Sequence, residues 1–161
     1  MEIIFNRVTK NIGKKCVIND VSFCVNDATI IGLMGINGAG KTMLMRLIAG
    51  FIKPSSGSIK IDGKMLGRDM DFPSEIGVLL ENPSFINRYN GYDNLRILAD
   101  INKRIDESRV LEVMDIVGLR DDGLKKFRKF SLGMRHRLGI AAAIFFGYLT
   151  SLIAKPKIKK Q

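Results

Sequence analysis

One short segment, GINGAGKT at Gly35–Thr42, constrains the fold of this 161-residue chain more than any other. It fits the pattern G-x-x-x-x-G-K-[ST]. The apolar run before it, residues 28–35, predicts a buried central strand, because such strands are covered on both faces. The pattern after it, residues 41–50, is helical and ends at a glycine. A glycine-rich turn between a buried strand and a helix predicts an α/β fold.

The glycines of this turn predict a phosphate-binding loop. The bare backbone can wrap a phosphate with its N–H groups, and the helix N-terminus adds partial positive charge. Lys41 is then expected to reach the β- and γ-phosphates, while the Thr42 hydroxyl ligates Mg²⁺. The alternative is a glycine-rich turn that matches by chance, which the flanking patterns disfavour. Kinases, GTPases, motors and transporter subunits share such loops, so a second motif must discriminate between them.

The remaining patterns predict further strands and helices. Apolar and polar residues roughly alternate over 1–10 and 14–26, which predicts strands with one face exposed to solvent. Residues 57–64 and 76–81 are predicted to form two more strands. Residues 94–118 carry apolar positions at three- and four-residue spacings, which indicate a helical insert. A further helix is expected to begin near Ser131.

Charge is distributed very unevenly along the chain. Residues 1–122 hold 16 Lys/Arg and 16 Asp/Glu, whereas residues 123–161 hold the other 10 Lys/Arg and no acid. The basic tail has no interleaved aromatic residues, so a nucleic-acid partner is not expected. A hydrophobic content of 46% argues against disorder, and two cysteines without metal-ligand spacing favour a reducing cytosol. The N-terminal segment lacks the apolar core of a signal peptide.

The second motif is FSLGMRHRLGIAAAIFF, Phe130–Phe146. Here the sequence resembles the ATP-binding subunits of ABC transporters, whose signature segment opens with a Ser-x-Gly turn and runs into a helix. The form SLGM followed by RLGIAAA is similar to the subgroup that exports bacitracin, lantibiotics and related peptides. A Ser131 hydroxyl and a bare Gly133 N–H at a helix start suit a γ-phosphate, although Ser131 as an ordinary N-cap explains the same residues.

The resemblance implies an α/β fold of the ABC-type P-loop NTPases, with an N-terminal β subdomain and a helical insert but without the later strands. The resemblance implies that the chain is a single partial ATP-binding domain with four parts. These are a β core with the phosphate loop (1–82), a helical insert (83–130), a signature helix (131–146) and a divergent basic tail (147–161).

The resemblance also implies the site residues. Ile12 stands where an adenine-stacking aromatic is usual, and Met43 where a second hydroxyl is usual. The implied ATP-binding residues are Ile12, Gly35, Ile36, Asn37, Gly38, Ala39, Gly40, Lys41, Thr42 and Met43. The implied Mg²⁺ ligands are Thr42 and Glu81, which replaces the family's glutamine. The implied signature residues, facing the γ-phosphate of a partner's ATP, are Ser131, Leu132, Gly133 and Met134.

The resemblance further implies partners and a location. Two such domains sandwich two ATP molecules, so a second ATP-binding domain is expected. The helical insert is where the family contacts its membrane permease, which places the chain peripherally on the cytoplasmic face of the membrane. ATP and Mg²⁺ are the expected cofactors, and export of a peptide antibiotic is the expected role.

The hydrolytic residues of the family have no counterpart here. No acid follows Asp122, and the single histidine, His136, lies inside the signature segment, where a solvent-facing helix residue is expected rather than a γ-phosphate sensor. Counting from Ser131 aligns residues 152–156 with the family's strand motif and puts Ala154 and Lys155 where the Mg²⁺ aspartate and catalytic glutamate stand. Degeneration of that strand and an unrelated tail produced by a frameshift both remain open.

Two further alternatives concern the tail and the function. The charge-free run at residues 138–154 resembles a short membrane segment, but a signature helix followed by a buried strand explains it better. Functionally, the alternatives to a transport ATPase subunit are a regulator that binds ATP without hydrolysing it and an inert, poorly folding remnant. Catalytic residues are therefore not assigned.

Overall fold

The computed structural model describes residues 1–26, 30–73, 76–80, 84–101 and 107–154, with the helix backbone alone at 101 and 146–154. The chain forms two compact units, Met1–Pro73 and Ser74–Gln161. The phosphate loop belongs to the first unit and the signature segment to the second.

The first unit is built on an antiparallel sheet of order β2-β1-β3-β4. Apolar residues alternate along β1 and β3, so Phe5, Val8 and Ile59 are buried on one face of the sheet. The helix α1 follows the phosphate loop and buries Leu44 and Leu47. The elements are β1 (Ile3–Ile12), β2 (Lys15–Val25), α1 (Lys41–Ile48), β3 (Ser56–Ile61) and β4 (Lys64–Met65). These bounds confirm the strands predicted at 1–10 and 14–26 and the helix predicted at 41–50. The strand predicted at 57–64 is confirmed only as far as Ile61, because the chain turns at 62–63 and Lys64 begins β4.

Two predicted strands are wrong. Residues 30–36 form no strand, and the Met34 side chain is 96% exposed. Residues 76–80 also form no strand and instead lie against the last helix, where a Cβ on Gly77 would meet the Ala143 carbonyl. An apolar run becomes a central strand only if neighbouring strands bond its backbone and cover its faces. Among the described residues, no strand pairs with either segment.

The second unit is helical. Its elements are α2 (Gly91–Ile101), α3 (Glu107–Ile116), a 3-10 helix (Phe127–Lys129) and α4 (Leu132–Ala154). Leu95, Val113, Phe127 and Leu138 belong to one buried apolar cluster to which every helix contributes. The predicted helical insert at 94–118 and the helix expected near Ser131 are therefore confirmed, with the insert formed by two helices.

A buried polar residue fixes the entry to α2. Asn94 is only 3% exposed, yet its side chain accepts a hydrogen bond from Ile86 N at 2.7 Å. Its amide nitrogen donates to Ile86 O at 3.2 Å and to Asn90 O at 2.8 Å. Asn90 caps α2 by accepting from Asp93 N at 2.6 Å. These bonds hold the loop 84–90 against the helix that follows it.

The end of the signature helix differs from the prediction. The signature helix was expected to end at 146 and to be followed by a strand over 152–156, but α4 continues to Ala154. No parallel sheet is present among the described residues to draw this stretch into a strand, so it continues the helix that precedes it. Ala154 therefore lies in a helix, while Lys155 and residues 156–161 fall outside the described part. In that part, no helix has the length and hydropathy needed to cross a membrane.

Candidate functional site

Two glycines shape the turn that precedes α1. Gly38 and Gly40 have φ angles of 85° and 91°, in the left-handed region that glycine adopts without a steric penalty. Gly40 is also the residue immediately before the helix, where a Cβ would lie 2.8 Å from both the Val17 carbonyl oxygen and Ile18 Cδ1. The loop therefore presses its bare backbone against β2, and this close approach positions the first turn of α1.

Lys41 folds back over the same loop. Its Nζ donates to Gly35 O at 2.6 Å and to Ile36 O at 2.9 Å. Ala39 N donates to Ile36 O at 3.2 Å, which closes the turn. An ammonium group has three donors, so the two carbonyl bonds hold the charge over the mouth of the loop and leave one donor for an incoming anion.

A cavity of about 290 Å³ opens at this loop. It is lined by Val17, Asn37, Gly38, Gly40, Lys41, Thr42 and Met43. No acidic residue occupies the first turn of α1, so nothing there opposes the partial positive charge of the helix N-terminus. Exposed backbone N–H groups, a lysine ammonium and a threonine hydroxyl form a donor set that fits a phosphate chain with Mg²⁺.

Ile12 and Val17 mark where sequence reasoning and structure diverge. Ile12 is the last residue of β1, pairs with Lys15 across the hairpin and is 49% exposed, but it does not line the cavity. Val17, which was not predicted, does line it from β2. A valine in an alternating strand carries no local signal of a binding role, so only the approach of Gly40 to its carbonyl identifies it.

The signature segment begins α4 as a capped helix. Ser131 Oγ accepts a hydrogen bond from Met134 N at 3.2 Å, and Ser131 O accepts one from Arg135 N at 3.0 Å. This confirms Ser131 as an N-cap. Leu132 and Gly133 are exposed, and a Cβ on Gly133 would meet only Ser131 Oγ, at 4.0 Å. The turn is thus open on its outer side, while contact with a γ-phosphate stays a prediction.

Arginine side chains and the exposed His136 follow this turn. Arg135 Nε donates to Phe130 O at 3.2 Å, and its guanidinium lies 5.2 Å from the centre of the Phe127 ring. Arg137 donates to Gly118 O at 2.8 Å. His136 is exposed on the helix, as expected. The two arginines therefore anchor the start of α4 on the helical unit.

The predicted metal ligands are only partly placed. Thr42 lines the cavity as the second residue of α1, whereas Glu81 lies outside the described residues. Within the residues that are described, no group of three or more His, Cys, Asp or Glu side chains is arranged to hold a metal ion. In a phosphate loop the hydroxyl shares Mg²⁺ with phosphate oxygens, so a protein-only cluster is not required.

Comparison with known proteins agrees with this geometry. The family model for ABC transporters matches residues 18–148, so the chain belongs to that family. The resemblance to its bacitracin and lantibiotic subgroup is also confirmed, because a bacitracin transport and a lantibiotic transport ATP-binding protein are among the relatives.

Three curated relatives illustrate the similarity. An uncharacterized ABC transporter ATP-binding protein of Bacillus subtilis, YybJ, is 43% identical over 138 residues, covering 86% of this chain and 63% of the relative. The bacitracin transport ATP-binding protein BcrA of Enterococcus faecalis is 37% identical, covering 85% and 45%. The lantibiotic transport ATP-binding protein SrtF of Streptococcus pyogenes is 33% identical, covering 92% and 60%. The chain spans about half to two thirds of the length of these relatives.

A solved structure shares the fold. The ATP-binding cassette MJ0796, a dimer in a post-hydrolysis state bound to ADP and Pi, superposes with a TM-score of 0.73. The match has 21% identity and covers 88% of this chain and 68% of the other. The predicted fold class, an α/β P-loop NTPase of the ABC type, is therefore confirmed.

Proposed function

We propose that this chain is an ATP-binding unit of an ABC transporter, and that it binds Mg-ATP through Gly35–Thr42. The observation that carries the proposal is the loop itself. Its glycines have left-handed φ angles, its lysine is held over the loop mouth by two carbonyls, and an adjoining cavity is lined by Thr42. Lys41 would bind the terminal phosphates and Thr42 the Mg²⁺ ion.

The relatives support a role in exporting a peptide antibiotic. The names of BcrA and SrtF tie those proteins to bacitracin and lantibiotic transport. In this proposal the partners are a second ATP-binding domain, which meets the Ser131–Met134 turn, and a membrane permease, which meets the helical unit. The chain would then lie on the cytoplasmic face of the membrane as a peripheral subunit.

Binding is tested with one substitution and a matched control. Lys41→Ala removes the ammonium from the loop, whereas Lys64→Ala removes an exposed ammonium from β4 in the same unit. Loss of a charge-assisted bond to phosphate costs about 1.5–3 kcal/mol, or roughly 10- to 150-fold in affinity. Isothermal titration with Mg-ATP should show that loss for Lys41→Ala alone. Equal affinities for the two variants would refute the proposed site.

A second candidate, ATP binding without hydrolysis, is favoured by one sequence feature. Residues 123–161 contain no Asp or Glu, so this stretch offers no carboxylate to hold Mg²⁺ or to orient water. Single-turnover assays on the 161-residue polypeptide decide between the candidates. A regulator retains bound ATP as ATP over hours, whereas a hydrolytic subunit releases ADP in a reaction that Lys41→Ala abolishes.

A further inference from the structure

A second cavity, of about 600 Å³, opens on the sheet of the first unit. It shares no lining residue with the cavity at the phosphate loop. Side chains alternate between the faces of a strand, so Asn6 and Ser58 lie on the opposite face from their buried neighbours Phe5 and Ile59. The cavity is therefore on the polar face of the sheet. The side chains that line it are those of Asn6, Arg7, Thr9, Asp20, Ser56 and Ser58.

Two irregularities in strand pairing shape this cavity. Over residues 5–8, β1 has one more residue than the paired stretch of β2, and over residues 18–21, β2 has one more than the paired stretch of β1. Such bulges bend a strand and redirect a side chain. Arg7 lies in the first bulge and Asp20 in the second, which brings the two charged residues of the lining together. Gly57 of β3 makes room for the first bulge, because a Cβ there would collide with the Arg7 carbonyl oxygen.

The backbone holds both charged residues in a conformation that L-residues with a Cβ rarely adopt. Arg7 and Asp20 each have a φ angle of 48°, and they are two of the three non-glycine residues in the left-handed region among those that the structure describes. A hydroxyl holds each of them there: Arg7 N donates to Ser22 Oγ at 2.8 Å, and Asp20 N donates to Thr9 Oγ1 at 3.1 Å. Strained residues cluster at ligand sites. Strain at both charged residues of one cavity therefore points to binding.

The pairing of Arg7 with Asp20 leaves a complementary set of groups open. Arg7 Nε donates to Asp20 Oδ1 at 3.2 Å, which fixes the guanidinium relative to the carboxylate. In the part of the chain that the structure describes, the two terminal Arg7 nitrogens and Asp20 Oδ2 make no hydrogen bond. The terminal nitrogens form the two-pronged donor set that binds a carboxylate, and a carboxylate oxygen accepts from an ammonium group. The open groups thus match a ligand that carries both charges.

We propose that this cavity binds a free polar α-amino acid, whose carboxylate contacts Arg7 and whose ammonium group contacts Asp20. The two protein charges cancel, so the cavity has no excess positive charge with which to attract a phosphate dianion. The Asn6 amide and the hydroxyls of Ser56 and Ser58 supply donors and acceptors for a polar side chain of the ligand. None of these groups takes part in the proposed binding of ATP.

The test compares Arg7→Gln with Arg68→Gln. Arg68 is the matched control, because its Nε contacts Asp69 Oδ1 at 3.0 Å in the same way and it lines neither cavity. Titration calorimetry uses three probes: L-glutamine, its α-amide, which lacks the carboxylate, and glutaramate, which lacks the α-ammonium group. The parent chain and Arg68→Gln should bind L-glutamine about tenfold or more tightly than either analogue, because each analogue loses one charge-assisted contact.

Substitution of each charged residue should erase one of these preferences. Arg7→Gln should bind L-glutamine no more tightly than the α-amide, and Asp20→Asn should bind it no more tightly than glutaramate. Asparagine tolerates the left-handed conformation at position 20. If Arg7→Gln does not fold, Arg7→Gly repeats the test, because glycine adopts this conformation without a steric penalty.

Four results would overturn the proposal. The first is that the parent chain does not bind L-glutamine at about 10 mM, which would detect a Kd of about 1 mM. The second is equal affinity of the parent chain for all three probes. The third is loss of both preferences in Arg68→Gln, which would make the cavity irrelevant. The fourth is tighter binding of inorganic phosphate than of L-glutamine, with Arg7→Gln abolishing it, which would assign the cavity to a simple anion instead.

Discussion

Alanine substitutions at Gly40 and Gly38 distinguish two reasons for glycine in the phosphate loop: the left-handed backbone conformation and the close approach of neighbouring atoms. Both residues have left-handed φ angles that differ by only a few degrees, 91° and 85°. They differ in their surroundings: a Cβ at Gly40 would meet the Val17 carbonyl oxygen at 2.8 Å, whereas nothing lies within 4 Å of a Cβ at Gly38. Gly38→Ala therefore tests conformation alone, and Gly40→Ala tests conformation together with close approach.

The expected magnitudes follow from these contacts. The left-handed conformation costs an alanine about 1–2 kcal/mol, which applies to both variants. Overpacking against a fixed backbone atom adds about 1–3 kcal/mol, which applies only to Gly40→Ala. We therefore expect the free energy of unfolding to fall by about 1–2 kcal/mol for Gly38→Ala and by about 2–5 kcal/mol for Gly40→Ala.

Urea denaturation followed by circular dichroism measures the two changes, and titration with Mg-ATP measures the functional consequence. Relief of the clash must move the loop away from β2, so Gly40→Ala should also lose more affinity than Gly38→Ala. If Gly38→Ala and Gly40→Ala lost the same stability and the same affinity, the reasoning would be refuted, because the close approach to Val17 would then contribute nothing to the free energy.

Substitutions at three other positions test the helical unit by urea denaturation. Asn94→Ala leaves Ile86 N–H without its acceptor, whereas the Ile86 and Asn90 carbonyls keep the backbone donors Tyr89 N and Asn94 N. The free energy of unfolding should fall by about 1–3 kcal/mol; a loss below about 0.5 kcal/mol would contradict the role of Asn94. Ser131→Ala removes the cap of α4 and should cost about 1 kcal/mol, whereas Ser131→Asp, which can also cap, should cost less. The hydrogen bond to Glu107 raises the pKa of Tyr92 to about 12, so its stabilisation is complete below pH 10.0 and lost as pH rises through about 12. Tyr92→Phe should flatten that decline; an unchanged profile would exclude Tyr92 as its cause.

Features with a local signal could be predicted from the sequence. The alternation in β1 and β2, the helix after Lys41 and the start of α4 after Ser131 all depend on residues close in the chain. The phosphate loop has the same property, because its glycines and lysine are consecutive. Local propensity and turn chemistry determine such features before distant contacts form.

Features that depend on distant partners could not be predicted. Residues 30–36 have the composition of a central strand, but pairing decides whether an apolar run is one, and no described strand bonds to them. The role of Val17 depends on Gly40, which approaches it from another part of the chain. The length of α4 beyond Gly147 was missed because an alignment by counting placed a strand there. The Asn94 contacts with loop 84–90 likewise have no signature in sequence.

The most direct test of the central claim is the dependence of binding on phosphate number. The cavity at the phosphate loop has glycine backbone, the Lys41 ammonium and the Thr42 hydroxyl in its lining, and these groups recognise phosphate rather than a base. In competition titrations with Mg²⁺, affinity should fall from ATP to ADP and by about tenfold or more again to AMP, as charge-assisted bonds are removed. Adenosine binding as tightly as ATP would contradict the account, because the phosphate loop would then contribute nothing to recognition.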